Sequence, residues 1–272
     1  MRSKPESAAD FSFLQITDHH LGSHEHDYNH GYATAYALGR LMDHLAQSGG
    51  HAADFLICTG DLVNRGTDEE YAFARRFLDL QGRSAPPGPL AISWPQLRKL
   101  PSYFLPGNHD IRNVFFRNLF STSAPGTANM AFLHKGVQFL CLDFGTDNLA
   151  GEVLPETLKF LRAHLDSSAP SVLLLHYHPV PVGIAWLDAA VPKEIEKFWD
   201  AVSAGRVLGV LFGHTHATVE VTVRGIPVLG LRSTNFQFAP AERPLYCLLP
   251  PHYRVVTIAG GRLTSRIYEV PL

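Results

Sequence analysis

The sequence is poor in cysteine, in charge and in long apolar runs, and each shortage excludes something. Its three cysteines, Cys58, Cys141 and Cys247, stand alone with no CxxC pair. That spacing excludes a disulfide framework and a thiolate zinc site, and it reads as buried thiols in a reducing compartment. Charged residues make up only 18% and the formal net charge is −2, so no overall basic field exists to hold a nucleic-acid polymer. An anionic substrate therefore needs local positive charge, which bound metal ions supply. The longest apolar runs, such as Val172–Leu175 and Val207–Phe212, are strand-sized and too short to cross a bilayer. Met1 to Asp10 is polar, without the apolar core of a signal peptide. These absences set the expectation of a cytoplasmic protein with no membrane insertion.

Apolar residues and histidines are plentiful. Hydrophobic residues make up 46% of the 272, enough for a large core, and there are 15 histidines. The length suits one large α/β or two-sheet domain, and no linker divides it, so 1–272 is expected to be a single domain. Short β-rich runs alternate with helical periods. Phe11–Thr17, Asp54–Thr59, Tyr103–Leu105, Val137–Asp143, Ser171–Leu175 and Val207–Phe212 read as strands. Leu38, Leu41, Met42 and Leu45 share one face of a helix near Tyr32–Gln47, as do Phe73, Phe77 and Leu80 over Glu69–Leu80. Pro155 opens a helix at its permitted first turn. From residue 218 to the end the pattern becomes a run of antiparallel strands, expected to complete the second sheet. The Pro- and Gly-rich stretch Gln81–Leu100 reads as a long surface loop.

Five strand ends carry polar residues: Asp18-His19-His20, Gly60-Asp61, Gly107-Asn108-His109-Asp110, His176-Tyr177-His178 and Gly213-His214-Thr215-His216. The carboxyl ends of strands are where α/β sheets place ligand sites. Gly60, Gly107 and Gly213 allow sharp bends and close backbone approach. Taken singly, a strand-end His or a Gly-Asp pair is more often structural. The five together, in this order, point to a metal site. Oxygen and imidazole donors without thiolate suit Mn, Fe, Zn or Co. Two ions sharing one carboxylate, here Asp61, sit roughly 3.5–4 Å apart, which suits in-line hydrolysis of a phosphoester by a water activated between them.

This series resembles the calcineurin-like metallophosphoesterase superfamily. The resemblance implies an α/β (α+β) fold, a four-layer αββα sandwich of two mixed sheets flanked by helices, with the metals at the loop edge. It implies that Asp18, His20, Asp61 and His216 hold one ion, and that Asp61, Asn108, His176 and His214 hold the other. His109 matches the family's non-ligand histidine, which stabilises the transition state or protonates the leaving oxygen. The segments His176-Tyr177-His178-Pro179-Val180-Pro181, Ala185-Trp186-Leu187-Asp188 and Ser233-Thr234-Asn235-Phe236-Gln237-Phe238-Ala239-Pro240 are similar to bacterial class III cyclic-nucleotide phosphodiesterases. On that likeness His178 and Asn235 become substrate-side candidates, although His178 can equally be packed under its loop. The sequence departs from the common pattern at Asn64, where many relatives carry an acidic residue.

The expected function is hydrolysis of a small phosphodiester, with 3′,5′-cyclic AMP the leading substrate. The alternatives are a glycerophosphodiesterase, a hydrolase of a nucleotide-linked lipid A precursor, or a noncatalytic interaction scaffold. Retention of His109 and of every ligand speaks against the scaffold. His24, His26 and His30 are read as members of a solvated loop, and Arg65 as a solvated turn residue. Phe115, Phe116 and Phe120 are read as helix packing, not a base-stacking platform. Homo-oligomer formation is left open.

Overall fold

The computed structural model describes residues 9–48, 52–82, 88–95, 97–145, 150–166 and 168–271. In chain order the first half builds β1 (Phe11–Ile16), β2 (Tyr28–Asn29), β3 (Tyr32–Ala33), α1 (Thr34–Gln47), β4 (Leu56–Cys58), α2 (Asp68–Phe77), β5 (Leu90–Trp94), β6 (Leu97–Phe104) and α3 (Arg112–Phe120). The second half builds β7 (Met130–His134), β8 (Val137–Cys141), α4 (Pro155–Leu165), β9 (Ser171–Leu174), α5 (Ala185–Asp188), α6 (Ile195–Val202) and β10 (Val207–Phe212). It ends with β11 (Val219–Val223), β12 (Ile226–Gly230), β13 (Gln237–Phe238), β14 (Tyr246–Cys247), β15 (His252–Ala259) and β16 (Arg262–Glu269). Two six-stranded mixed sheets result, ordered β16-β15-β1-β4-β6-β5 and β11-β12-β10-β9-β8-β7.

Three separate apolar clusters define four layers. Leu38, Leu41, Met42 and Leu45 of α1, with Tyr71 of α2 and Phe115 and Phe116 of α3, pack on one face of the first sheet. Leu158, Leu161 and Leu165 of α4, with Phe198 and Val202 of α6, cover the outer face of the second. Between the sheets, Phe13, Phe55, Ile57 and Val256 meet Phe139, Val172, Leu174 and Leu211. The strand runs are apolar on both faces because both faces are covered. This is the αββα arrangement anticipated from the motifs. Among the described residues no helix is long and apolar enough to cross a membrane.

Register brings the strand ends together. Parallel pairing sets Ile16 opposite Cys58 and Cys58 opposite Phe104. In the second sheet Cys141 faces Leu174, and Leu174 faces Leu211. The turns after β1, β4, β6, β9 and β10 therefore open on one edge. Gln15 ties the sheets there, its buried amide donating to Thr59 Oγ1 at 3.2 Å and to the Phe212 carbonyl at 3.1 Å.

Two expectations are corrected. Gln81–Leu100 is not a long loop: Leu90, Ile92, Leu97 and Leu100 are buried, and β5 pairs antiparallel with β6 as the edge of the first sheet. The alternation Leu90-x-Ile92 carries this hairpin, whereas the Pro-rich run is confined to its approach, where residues 83–87 lie outside the described part. The strands after 218 also divide between the sheets. β11 and β12 extend the second sheet, but β15 runs antiparallel beside β1 and carries β16 with it. Val256 and Ile258 enter the inter-sheet core from that position, and β15 covers an edge of β1 that would otherwise expose unpaired backbone groups. Of Leu245–Leu249 only Tyr246–Cys247 is strand, paired with β13 in a small ribbon.

Phe139 is the aromatic hinge between the layers, meeting Phe13 edge-on at 5.2 Å and Phe55 at 5.2 Å. Phe139→Ala should lower stability by about 3–5 kcal/mol in denaturant unfolding, because a rigid core does not collapse around the lost ring. Phe139→Leu should lose clearly less. Equal and small losses would mean that the sheets are not keyed by this ring.

Candidate metal centre

Backbone geometry is strained at three of the five strand ends, those of β1, β4 and β10, where the sequence places candidate ligands. Asp18, His20, Asp61, His214 and His216 all have positive φ, between 45° and 66°. Non-glycine residues rarely adopt this region, and holding one there costs about 1–3 kcal/mol. The strain is held by cross-links between turns: Asp18 N–H donates to the Gly60 carbonyl, and His19 N–H and His20 N–H both donate to the Asp61 carbonyl. The strands also approach too closely for side chains. A Cβ on Gly107 would collide with Asp61 Oδ1, and one on Gly213 with Thr17 Oγ1.

Four of the ligand candidates, His176, His216, Asp61 and Asp18, are held from behind, whereas His20 Nδ1 and His214 Nε2 have no partner among the described residues. His176 Nδ1 lies 2.9 Å from the Thr59 carbonyl and His216 Nδ1 lies 2.9 Å from the Phe236 carbonyl. A carbonyl only accepts, so both protons sit on Nδ1 and both Nε2 atoms present bare lone pairs. Asp61 Oδ1 accepts from His109 N–H at 2.8 Å, leaving Oδ2 to face His20 Nε2 at 3.5 Å and His176 Nε2 at 3.4 Å. Asp18 Oδ2 accepts from Thr17 Oγ1 at 2.6 Å, and its Oδ1 faces His216 Nε2 at 3.5 Å. Asn108 Oδ1 stands 2.9 Å from His176 Nε2 and 2.9 Å from His214 Nδ1. His20 Nε2 and His216 Nε2 are 3.1 Å apart.

At His176 and His216, whose tautomers are set from behind, acceptors face acceptors in a buried cluster. Such an arrangement repels itself unless a cation occupies its centre. Donors about 2.1 Å from one ion are roughly 3 Å from each other, which matches the spacings here. The donor set therefore fits a metal. Asp18, His20 and His216 form one close group, and Asp18, Asp61 and His176 another. Burial, reinforced by the neighbouring histidines, holds His20 and His214 well below the usual histidine range, as neutral metal ligands require.

His109 differs from the ligands. Its Nδ1 donates to the Asn64 carbonyl at 2.6 Å, while the ring stands edge-on to His20 at 4.6 Å and lines the cavity above the cluster. A ring nitrogen of His109 also lies within 4.8 Å of donors on His20 and Asp61. Burial would lower its pKa, but the carboxylates of Asp61, Asp110 and Asp18 and the Asn64 carbonyl outweigh that and raise it. Asn64 thus acts through its backbone, while its side-chain oxygen accepts from Asn29 at 2.7 Å.

Neither substrate-side candidate lines this cavity. His178 is fully buried, with Nε2 2.9 Å from the Leu187 carbonyl and its ring stacked on His214 at 5.4 Å. Burial pushes its pKa down to about 4. It packs behind His214. Asn235 is buried too, its amide donating to the carbonyls of Asp18 and His19, so it fixes the first turn. His30, set aside as a loop residue, does line the cavity, together with Trp186, Phe236, Phe238 and Tyr246. His24 and His26 are exposed beside Asp27 and Glu25, and Arg65 is exposed. No sequence spacing links residues 30, 186 and 246; only the fold assembles them.

Residues 11–218 match the profile of the calcineurin-like phosphoesterases. The chain is similar to the 3′,5′-cyclic adenosine monophosphate phosphodiesterase CpdA of Vibrio vulnificus, 29% identical over 264 residues covering 94% of this chain and 89% of that protein. It is also similar to a 3′,5′-cyclic-nucleotide phosphodiesterase of Nostoc, 26% identical over 273 residues covering 96% and 92%. A dimetal phosphatase from Danio rerio shares the fold, with a TM-score of 0.62 at 13% identity over 98% of this chain and all of that one. The chain belongs to the calcineurin-like phosphoesterase family.

Proposed function

We propose that the protein is a cytoplasmic, dinuclear metal-dependent phosphodiesterase acting on a small phosphodiester, with 3′,5′-cyclic AMP the favoured substrate. The observation that carries this reading is the position of Asp61 Oδ2, 3.5 Å from His20 Nε2 on one side and 3.4 Å from His176 Nε2 on the other. One oxygen between two donor groups is what a carboxylate shared by two ions requires. Asp18, His20, Asp61 and His216 would hold one ion, and Asp61, Asn108, His176 and His214 the second. Bound Mn, Fe, Zn or Co supplies Lewis acidity toward the phosphoryl oxygens and an activated water.

The chain's own residues do the rest. The Thr59 and Phe236 carbonyls keep His176 and His216 in the ligating tautomer. His109 has its Nδ1 proton committed to Asn64, so its Nε2 is the atom free to exchange a proton with the leaving oxygen. The carboxylates around it favour the protonated ring that a general acid needs. The names of the relatives support a cyclic nucleotide as the diester. A hydrolysis panel with Mn²⁺, comparing cyclic nucleotides, glycerophosphodiesters and phosphomonoesters by kcat/KM, tests the reading; it fails if monoesters are preferred or no diester is cleaved.

Two variants test the assignments. Asp61→Asn should deplete both ions together, measured by metal analysis of the purified protein. Retention of two ions per chain would remove Asp61 as the bridge. His109→Ala should keep its metal and lose about 10²–10⁴-fold in kcat on cyclic AMP. The loss should shrink on nitrophenyl diesters, whose leaving group departs without a proton. Metal loss, or an equal slowing of both substrates, would reject the general-acid role.

A further inference from the structure

The cavity over the ligand cluster has two unlike walls. Its floor is polar: Asp61, Asn108, His109 and the ligand imidazoles. Its opposite wall is built of rings. Phe236 and Phe238 pack on the His216 imidazole at 4.9 and 4.5 Å, and Trp186 meets Phe238 edge-on at 4.8 Å. Tyr246 meets Phe236 edge-on at 5.2 Å and is stacked face to face on His30 at 3.6 Å.

Packing explains only part of this wall. Phe236 is buried and supports a ligand ring, but Trp186, Phe238 and Tyr246 stay half-exposed and His30 is exposed, although burying them would be favourable. They come from separate segments. His30 sits at the tip of the β2–β3 hairpin, where His30 and Gly31 both have positive φ, and Tyr246 lies on the β13–β14 ribbon. Both small hairpins serve mainly to hold rings above the metal ligands. The nearby Asn29 amide is already committed to Asn64, whereas the Trp186 Nε1–H has no partner among the described residues.

We propose that this ring wall, centred on Tyr246 and Phe238, is the seat for a flat heteroaromatic substituent of the substrate, the base of a nucleotide. It takes the ring by stacking. The inference rests on a phosphoryl group being held at the floor, as in the reading above, and it adds which residues select the rest of the molecule. Stacking acts on the π-face that every base has, so purine and pyrimidine nucleotides are both accepted. Ring-free diesters, including glycerophosphodiesters, lose this contribution.

Binding of products to the full-length, Mn²⁺-loaded protein tests the seat independently of turnover. AMP and ribose 5-phosphate share the phosphate and the sugar and differ in the base. By calorimetric titration AMP should bind about 5- to 150-fold more tightly than ribose 5-phosphate, the range that base stacking supplies. AMP and GMP should agree within a few fold. In Tyr246→Ala, and in Tyr246→Leu and Phe238→Leu, which keep apolar volume, the advantage of AMP over ribose 5-phosphate should shrink by several fold. Equal affinities in the unaltered protein, or an advantage that survives all three substitutions, overturns the seat. If cyclic nucleotides are not hydrolysed but the AMP advantage is present and lost in the variants, the seat stands and the phosphodiesterase reading falls.

Discussion

Bare lone pairs pointing at one another are the constraint on which the rest of this molecule depends. His176 Nε2, His216 Nε2, Asp18 Oδ1, Asp61 Oδ2 and Asn108 Oδ1 converge at spacings of 2.9 to 3.5 Å with no proton between the key pairs. No fold drifts into such a cluster by apolar packing, because buried acceptors without donors are unfavourable. Each must be pushed in and held. The holding contacts cross between sheets: the Thr59 carbonyl at the end of β4 orients His176 at the end of β9. Likewise His214 N–H donates to Asp18 at 3.1 Å, joining the ends of β10 and β1. The geometry of the donor cluster is thus fixed by how closely the two sheets approach at one edge.

That closeness comes from the aromatic core beneath. Phe13 lies stacked on Phe55 at 5.1 Å, with Phe139 edge-on to both, and a close-packed interior transmits displacement instead of absorbing it. The left-handed residues at the turns are then tolerable because their strain is offset by a rigid scaffold a few residues away. A helix contributes as well. The Thr67–Glu70 capping box starts α2, and Glu70 also accepts from Arg65 N–H at 2.8 Å. This pins the Asn64 segment whose carbonyl orients His109.

Legibility in the sequence followed the range of the interactions. The candidate ligands could be read as one group because each sits at the end of an apolar strand and parallel register makes strand ends neighbours. The αββα layering came from the family resemblance that the strand-end motifs carry, and strands apolar on both faces agree with it. Gln81–Leu100 was misread because Pro and Gly at its start hid the two-residue alternation of Leu90 and Ile92. The placement of β15 beside β1 was not readable, since antiparallel pairing across more than 230 residues leaves no local trace. His178 and Asn235 were drawn toward the substrate by their neighbours in sequence. Both face inward, one behind His214 and one beneath the Asp18 turn, and a polar residue beside a ligand serves either purpose equally well on sequence evidence.

The run Asn108-His109-Asp110 shows why adjacency in sequence does not predict role. The three side chains leave one tight turn in three directions. Asn108 points into the donor cluster and His109 into the cavity. Asp110 points away into the core, where it accepts from Leu62 N–H at 3.2 Å, Gly107 N–H at 2.9 Å and Tyr71 Oη at 2.6 Å. Burial, with the charge of Asp61 nearby, pushes its pKa up to about 6. Asp110 is therefore the bolt between the turn that carries Asp61 and the turn that carries Asn108 and His109, anchored to α2 through Tyr71. Asp61, Asn108 and the cavity histidine His109 are set in mutual register by a residue that touches neither the donor cluster nor the cavity. Three donors from it converge on one side chain, so the two turns cannot shift independently. The spacing of the site is a property of this bolt as much as of the ligands themselves.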